Sequence, residues 1–514
     1  MTITEFLTQQ KTRLAYYLLT ICAILLFINI NIGSIANDAG YWYFLTTEIY
    51  LNDGLAAASQ INSWPFYVVL IGNMVKITGL SIPYAAMLLN GLFYLLLIYS
   101  FVSLLSQLGG SRQVKILGCA LLITLPILNK YLDYIISDLG YLAFLFFGFT
   151  QLLKFTQRPI LKYCLTWSIS VIIASLLRVE GLILMVITSL GFLAFPTYSL
   201  QKRAAKILLL NSPLILIIIS VSIYLTYYPD ILASINFTGA YKLKTWFLQV
   251  AHESYATYIE KSIDTANALS KAMRPEDMWL FFVGGFGLLF LVNFCSGFTL
   301  LNFLGLYGHA RYNNFYTEDK RWWLIYWAII VELLLVIFYV LAYYFLTTRY
   351  LLPLILTLLI PATFGLSSII NYLKDELVIK PLLVTVLILS AVYNIIDSVV
   401  AFGASKLYIT DAAQWIKREL PKDANIFSND VPVTYYSGFL NINNIGLIDK
   451  TISNLDNNKL LYALENQNYD YALINISYKN KDLKRILRSS SKFHELGEFK
   501  NERGDRIIII RPDK

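Results

Sequence analysis

Apolar residues in this chain collect into long runs, not into the 3.6-residue or two-residue alternations of a water-soluble fold. A helix needs about 20 apolar residues to cross a bilayer. Runs of that length predict spans near 14–33, 82–105, 114–130, 136–153, 161–177, 182–199, 207–226, 279–304, 322–345, 350–371 and 381–402, eleven in all. The stretch Trp64–Thr78 is apolar but short, carries Lys76 and meets Gly79 at once. It reads as an interfacial or re-entrant helix.

The basic residues orient these spans. With the N-terminus inside, the inner segments hold fifteen Lys and Arg, from Lys11 and Arg13 to Lys374 and Lys380. The short outer segments hold four, Lys76, Lys130, Arg178 and Arg349, and the long outer loop 227–278 adds five. Cytoplasmic loops carry the excess of positive charge, so this orientation is preferred. A span at Trp64–Thr78 would turn every later loop over. The odd count stands, and the C-terminus is placed outside.

Beyond Gly403 the pattern changes: 17 of the 41 basic residues lie there, among many Asn and Asp. Asp411–Leu420 is amphipathic, Asn425–Asn429 reads as a short strand and Asn458–Gln467 as a helix, while Tyr471–Ile476 and Arg506–Ile510 read as buried strands. The fold class is a polytopic α-helical membrane protein of about eleven transmembrane helices, residues 1–403, followed by a small soluble α/β domain, residues 404–514. Neither a G-x-G-x-x-G loop nor a P-loop is present.

Composition agrees. Of 514 residues 57% are hydrophobic and 14% charged, against roughly 25% charged in a soluble protein. Mean hydropathy is +0.58. A soluble enzyme, a disordered chain and a coiled coil are excluded. The net charge of +8 is first a topology signal, and no nucleic-acid partner is expected. Cys22, Cys119, Cys164 and Cys295 lie in apolar runs without a close pair and read as buried filler.

Residues that could carry chemistry cluster at the outer ends of the spans. Asp38 follows the first span and precedes the aromatic run Tyr41, Trp42, Tyr43, Phe44. It is either a helix cap or a reactive carboxylate. Trp64-Pro65-Phe66-Tyr67 opens the short apolar helix. Asp133 and Asp138 flank the start of the fourth span, where Asp138 also suits an N-cap. Arg178-Val179-Glu180-Gly181 interrupts one long apolar run. An Arg at a helix centre in the membrane costs at least ~2.5–3.5 kcal/mol, so a tight hairpin with Arg178 and Glu180 at the outer surface is expected. That pair is either structural or an anion site for a lipid phosphate. Arg349-Tyr350 opens the tenth span, with Arg349 a snorkelling anchor or a phosphate fork. Glu332, in mid-span, is read as protonated or hydrogen-bonded between helices. Of three histidines only His252 lies in an outer loop, so a histidine zinc site is not expected. A carboxylate-bound Mg²⁺ or Mn²⁺ stays open.

The order of these motifs resembles the glycosyltransferase C superfamily, in the branch of the protein O-mannosyltransferases and the bacterial lipid A aminoarabinose transferases. Asp38 matches the Asp after the family's first helix, although the Glu that can follow it is Ala39 here. Trp64-Pro65-Phe66-Tyr67 loosely matches a Pro-Pro-Leu-Tyr-like run. Asp138 matches the Asp opening the fourth helix, and Arg349-Tyr350 an Arg-Tyr opening a late helix. The resemblance implies an integral-membrane glycosyltransferase. Its donor is a polyprenyl-phosphate sugar, and its acceptor a glycan, a lipid or a protein on the extracytoplasmic face. Transfer proceeds with inversion. Asp38 and Asp138 carry the catalysis, and Arg178, Glu180, Arg349, Tyr350 and Asp133 bind substrate. The rival class is a transporter or flippase for a lipid-linked sugar. It predicts polar residues at mid-membrane and broken helices in matching halves, whereas here the polar candidates sit on the outer face.

Overall fold

The computed structural model describes residues 3–31, 38–194, 199–227, 278–312, 321–343, 346–372, 380–399, 406–439, 457–466, 468–489 and 492–513. Its helices follow the apolar runs: α1 Ile3–Asn31, α2 Asp38–Ile61, α3 Phe66–Thr78, α4 Ile82–Gln107, α5 Arg112–Ile123, α6 Pro126–Asn129, α7 Asp138–Gln157, α8 Leu161–Leu177, α9 Glu180–Leu190 and α10 Leu200–Tyr227. There follow α11 Met278–Gly297, α12 Leu300–Tyr312, α13 Arg321–Tyr343, α14 Thr348–Tyr372 and α15 Lys380–Val399. Each range in which a span is expected is mostly helical in its described residues, with breaks inside two of them.

By length and composition, five helices among the described residues can cross a membrane on their own, within α1, α4, α7, α13 and α14. The chain is a multi-pass membrane protein. The span expected at 279–304 is two helices, with Gly284–Gly297 and Leu300–Tyr312 meeting at 97°. The span expected at 114–130 stops at Ile123, then resumes as the single turn α6. Pro126 explains the stop, because it lacks an N–H and drives the preceding residue out of the helical region; Leu125 is extended at φ −80°, ψ 109°. Trp64–Thr78 contains the short helix expected, closed by Gly79 in the left-handed region at φ 69°.

Helix α14 is the central post, buried along most of its length from Leu351 to Ile369. It crosses α12 where glycines face each other: a Cβ on Gly365 would strike the Gly305 carbonyl and the His309 backbone, and one on Gly305 would strike the Ala362 carbonyl. Lipid offers no hydrophobic drive between helices, so close backbone approach through small residues supplies the packing.

The C-terminal residues form a four-stranded mixed sheet in the order β1-β2-β4-β3, with β1 Ile426–Ser428, β2 Tyr471–Ile476, β3 Phe493–Lys500 and β4 Arg506–Pro512. The helices around it are α16 Leu407–Glu419, α17 Val431–Ser437, α18 Asn457–Asn466 and α19 Lys481–Ser489. The strands β2 and β4, expected from sequence, are the central pair, in register from Ala472 opposite Ile510 to Ile476 opposite Arg506. The edge strand β3 is an addition to the sequence reading. One continuous apolar cluster joins Tyr408, Ile416 and Val433 to Phe44 and the helices below.

Candidate active site

The site is built at the ends of four helices. Asp138 is the first residue of α7 and Glu180 the first of α9, where carboxylates suit the positive end of the helix dipole. Arg178 caps the C-terminus of α8 in an extended conformation, and Arg349 is the second residue of α14. The turn from α8 to α9 is as tight as expected. A Cβ on Gly181 would lie 2.7 Å from the Ser175 nitrogen, and the Gly181 N–H donates to the Arg178 carbonyl at 3.0 Å.

Both guanidinium groups converge on one carboxylate. Arg349 Nε donates to Asp138 Oδ1 at 2.8 Å and its Nη2 donates to Oδ2, the bidentate fork that strengthens such pairs. Arg178 Nη1 donates to Asp138 Oδ1 as well. Arg178 also grips Glu180, from Nε to Oε2 at 3.3 Å and from Nη2 to Oε1 at 2.6 Å. Asp138 is 4% exposed. The four charges balance, and each guanidinium keeps N–H donors unused out of its five.

Aromatic rings wall this cluster. Arg178 Cζ lies 5.4 Å from the Tyr350 ring centroid and 5.8 Å from that of Tyr141. Tyr339 stacks on Tyr350 at 3.9 Å. Tyr43, from α2, packs edge-on against Tyr67 at 4.9 Å and lies within electrostatic range of Asp138, Arg349 and Arg178. The supports come from the loops below. Trp64 Nε1 donates to the Ser175 carbonyl at 3.1 Å, tying the Trp-Pro-Phe-Tyr turn to the Arg178 hairpin. Tyr131 and Thr348 join through their hydroxyls at 2.9 Å. Tyr67 donates to Asn90, which donates to the Tyr134 carbonyl at 3.0 Å. Beneath the charges is a cavity of about 50 Å³ lined by Tyr141, Glu332 and Tyr339 as well as the charged residues. Glu332 is hydrogen-bonded between helices, as its sequence position implies, with the Thr357 hydroxyl donating to Oε1 at 3.0 Å.

Five residues singled out in the sequence thus meet: Asp138, Arg178, Glu180, Arg349 and Tyr350. Asp133 does not line the cavity; burial pushes its carboxyl up to about 6 against a smaller opposing pull from Lys406. Asp38 opens α2, and its side chain lies outside the described residues, as does His252. Among the described residues no group of three His, Cys, Asp or Glu is placed to hold a metal ion, and both oxygens of Asp138 already accept from guanidinium groups. Tyr43, Tyr141 and Tyr339 are the residues that sequence reasoning missed.

No protein-family model matches the chain, and no curated protein matches it in sequence. Solved structures match its fold. The archaeal oligosaccharyltransferase AglB from Archaeoglobus fulgidus, in complex with an inhibitory peptide and a dolichol-phosphate, is similar at TM-score 0.54 and 12% identity over 90% of this chain and 70% of that one. The Archaeoglobus fulgidus oligosaccharyltransferase in complex with Zn and sulfate gives TM-score 0.55 and 13% identity over 95% of this chain and 72% of that one. The apo form gives 0.53 and 13%, over 88% and 69%. The chain shares the fold of these structures, the glycosyltransferase C-like fold expected from the sequence.

Proposed function

We propose that the protein is an integral-membrane glycosyltransferase. It moves a sugar from a polyprenyl-phosphate donor to an acceptor hydroxyl on the extracytoplasmic face of the bacterial cytoplasmic membrane. The observation that carries this reading is the convergence of Arg178 and Arg349 on Asp138 at the helix ends, beside Tyr350 and above an apolar wall. A lipid phosphate brings its charge to that depth while its chain stays in the bilayer. Arg is the side chain suited to grip it.

In the reaction the acceptor oxygen attacks the anomeric carbon as the bond from that carbon to the phosphate oxygen breaks. The bonding pair leaves with the phosphate, and the spare N–H donors of Arg178 and Arg349 meet the growing charge. Asp38 takes the proton from the acceptor hydroxyl. Asp138 fixes the two guanidinium groups, since both of its oxygens are already engaged. Glu180 holds Arg178 from the other side. A single displacement inverts the anomeric centre. The outward orientation rests on the bias of Lys and Arg toward the opposite loops.

The test is transfer of radiolabelled sugar from a polyprenyl-phosphate donor in membranes. Arg178→Lys and Arg349→Lys keep the charge and lose the fork, so donor affinity falls while protein level holds. Lys variants that bind donor as well as the wild type would reduce both residues to membrane anchors.

A further inference from the structure

A second cavity lies apart from the arginine cluster. It is a groove of about 1010 Å³ between α1, α4 and the C-terminal residues. Its floor is Phe27 stacked on Tyr94 at 6.2 Å, a fit that Gly91 permits, because a Cβ there would stand 3.2 Å from the Phe27 ring. Its walls are aliphatic, with Ile24, Ile28, Leu88, Leu92 and Leu95. Polar residues gather at one end: Asn31, at the end of α1; Ser81, just before α4; and Thr410 and Lys417 from α16. Lys417 is exposed, and no ion pair is formed by it among the described residues.

Two features specify the occupant. From Ser81 to Leu95 the groove follows roughly 20 Å of helix at 1.5 Å per residue, a large part of the ~30 Å hydrocarbon core. That length takes a hydrocarbon chain rather than a head group. The cation at the polar end takes an anion, since such a charge at the head of an apolar channel favours a phosphate over a neutral or cationic group.

Helix α2 divides this groove from the arginine cluster. Tyr43 lies within electrostatic range of Asp138 and the two arginines. Tyr41 packs the other way, with its ring 5.4 Å from Tyr435 and 5.8 Å from Tyr436, both of which line the groove. Asp38 lies one helical turn before Tyr41. The groove thus borders the helix that Asp38 opens, while the donor phosphate has its own seat at the arginine cluster. We infer that the acceptor is a membrane lipid with an anionic, hydroxyl-bearing headgroup, its chain held between α1 and α4 and its headgroup at Lys417. The inference rests on the transferase reading and names its acceptor class.

The test needs no turnover, so it stands or falls apart from that reading. The full chain is placed in phosphatidylcholine nanodiscs with a trace of phosphatidylglycerol bearing a diazirine on one acyl chain, irradiated, and mapped by mass spectrometry. Label is expected on 24–31 and 81–95. Leu88 is 40% exposed, so Leu88→Trp fills the groove without crowding the core and should cut that label about tenfold. Charge reversal in Lys417→Glu should cut it about fivefold. A phosphatidylcholine probe with the same chain should label less than the anionic one, and excess polyprenyl monophosphate should not compete. In turnover, Leu88→Trp should raise KM for a lipid acceptor and leave donor KM alone. Equal labelling by the two probes, or label that survives both variants, would mean annular lipid only and overturn the inference. Competition by polyprenyl monophosphate would also overturn it, by giving the groove to the donor chain.

Discussion

Asp138→Asn separates an anchoring carboxylate from a reactive one. In the native protein Asp138 is 4% exposed and accepts from both Arg178 and Arg349. Asn keeps the size and one acceptor oxygen but removes the charge. Arg178 retains Glu180; Arg349 has no other carboxylate bonded to it among the described residues. Breaking a buried pair by removing one partner costs about 3–5 kcal/mol. The Arg349 side chain is 28% exposed, and solvent reaching it brings the expected loss to about 2–3 kcal/mol. The assay is thermal denaturation of detergent-purified protein, followed by the decay of the monodisperse peak, together with transfer activity. A double-mutant cycle with Arg349→Gln isolates the pair and should return a coupling of about 1–3 kcal/mol. Asp138→Asn should melt earlier and bind donor poorly. A variant that melts like the wild type, binds donor normally and is still dead would refute the anchoring role and make Asp138 the proton acceptor.

Asp38→Asn keeps much of the helix-capping ability but cannot take a proton. It should express and melt normally and lose at least about a hundredfold in transfer rate; an active variant sinks the assignment of the base. Asp133 has its carboxyl raised to about 6 by burial, above its value in the unfolded chain. The folded state then binds the proton more tightly, so Asp133 lowers stability above about pH 6 and this loss is relieved as pH falls toward 4. Melting curves from pH 7 to pH 5 should show that gain, and Asp133→Asn should remove it; an identical pH slope in the variant contradicts the burial. Gly365→Leu places a side chain where the Gly305 carbonyl lies and should cost about 1–3 kcal/mol or more by overpacking. Wild-type melting of that variant would show that α12 and α14 can part.

The spans are legible in the sequence because a bilayer demands long apolar runs and little else. Bends are not, since a run of apolar residues has the same composition whether it is straight or turned. The break between Gly297 and Leu300 is therefore invisible to hydropathy, while the stop before Pro126 was available in the Pro itself. Strand β3 reads FHELGEFK; it lies at the sheet edge with a register shift at Glu495/Gly497 and buries no clean face, so it lacks the alternation that marks a strand. Asp138, Arg178, Glu180 and Arg349 stand out because charge is rare here and each sits where an apolar run ends. Tyr141 and Tyr339 do not: with 37 tyrosines in the chain, one more in an apolar run reads as filler until the fold brings it to a charge, and Tyr43 stands out only as one ring of an aromatic run.

Pro353 stands inside α14, four residues after Arg349. A proline has no N–H to give, so the Arg349 carbonyl lacks the bond that would close the first turn onto the next. Lower down the same helix, Gly365 is locked against Gly305 and the His309 backbone. One rod thus has a clamped foot and an unlatched tip, and the tip carries the guanidinium. The missing rung gives the first turn of α14 room to adjust, so the spare N–H donors of Arg349 can be re-aimed while its fork on Asp138 and the glycine contact lower down both stay made.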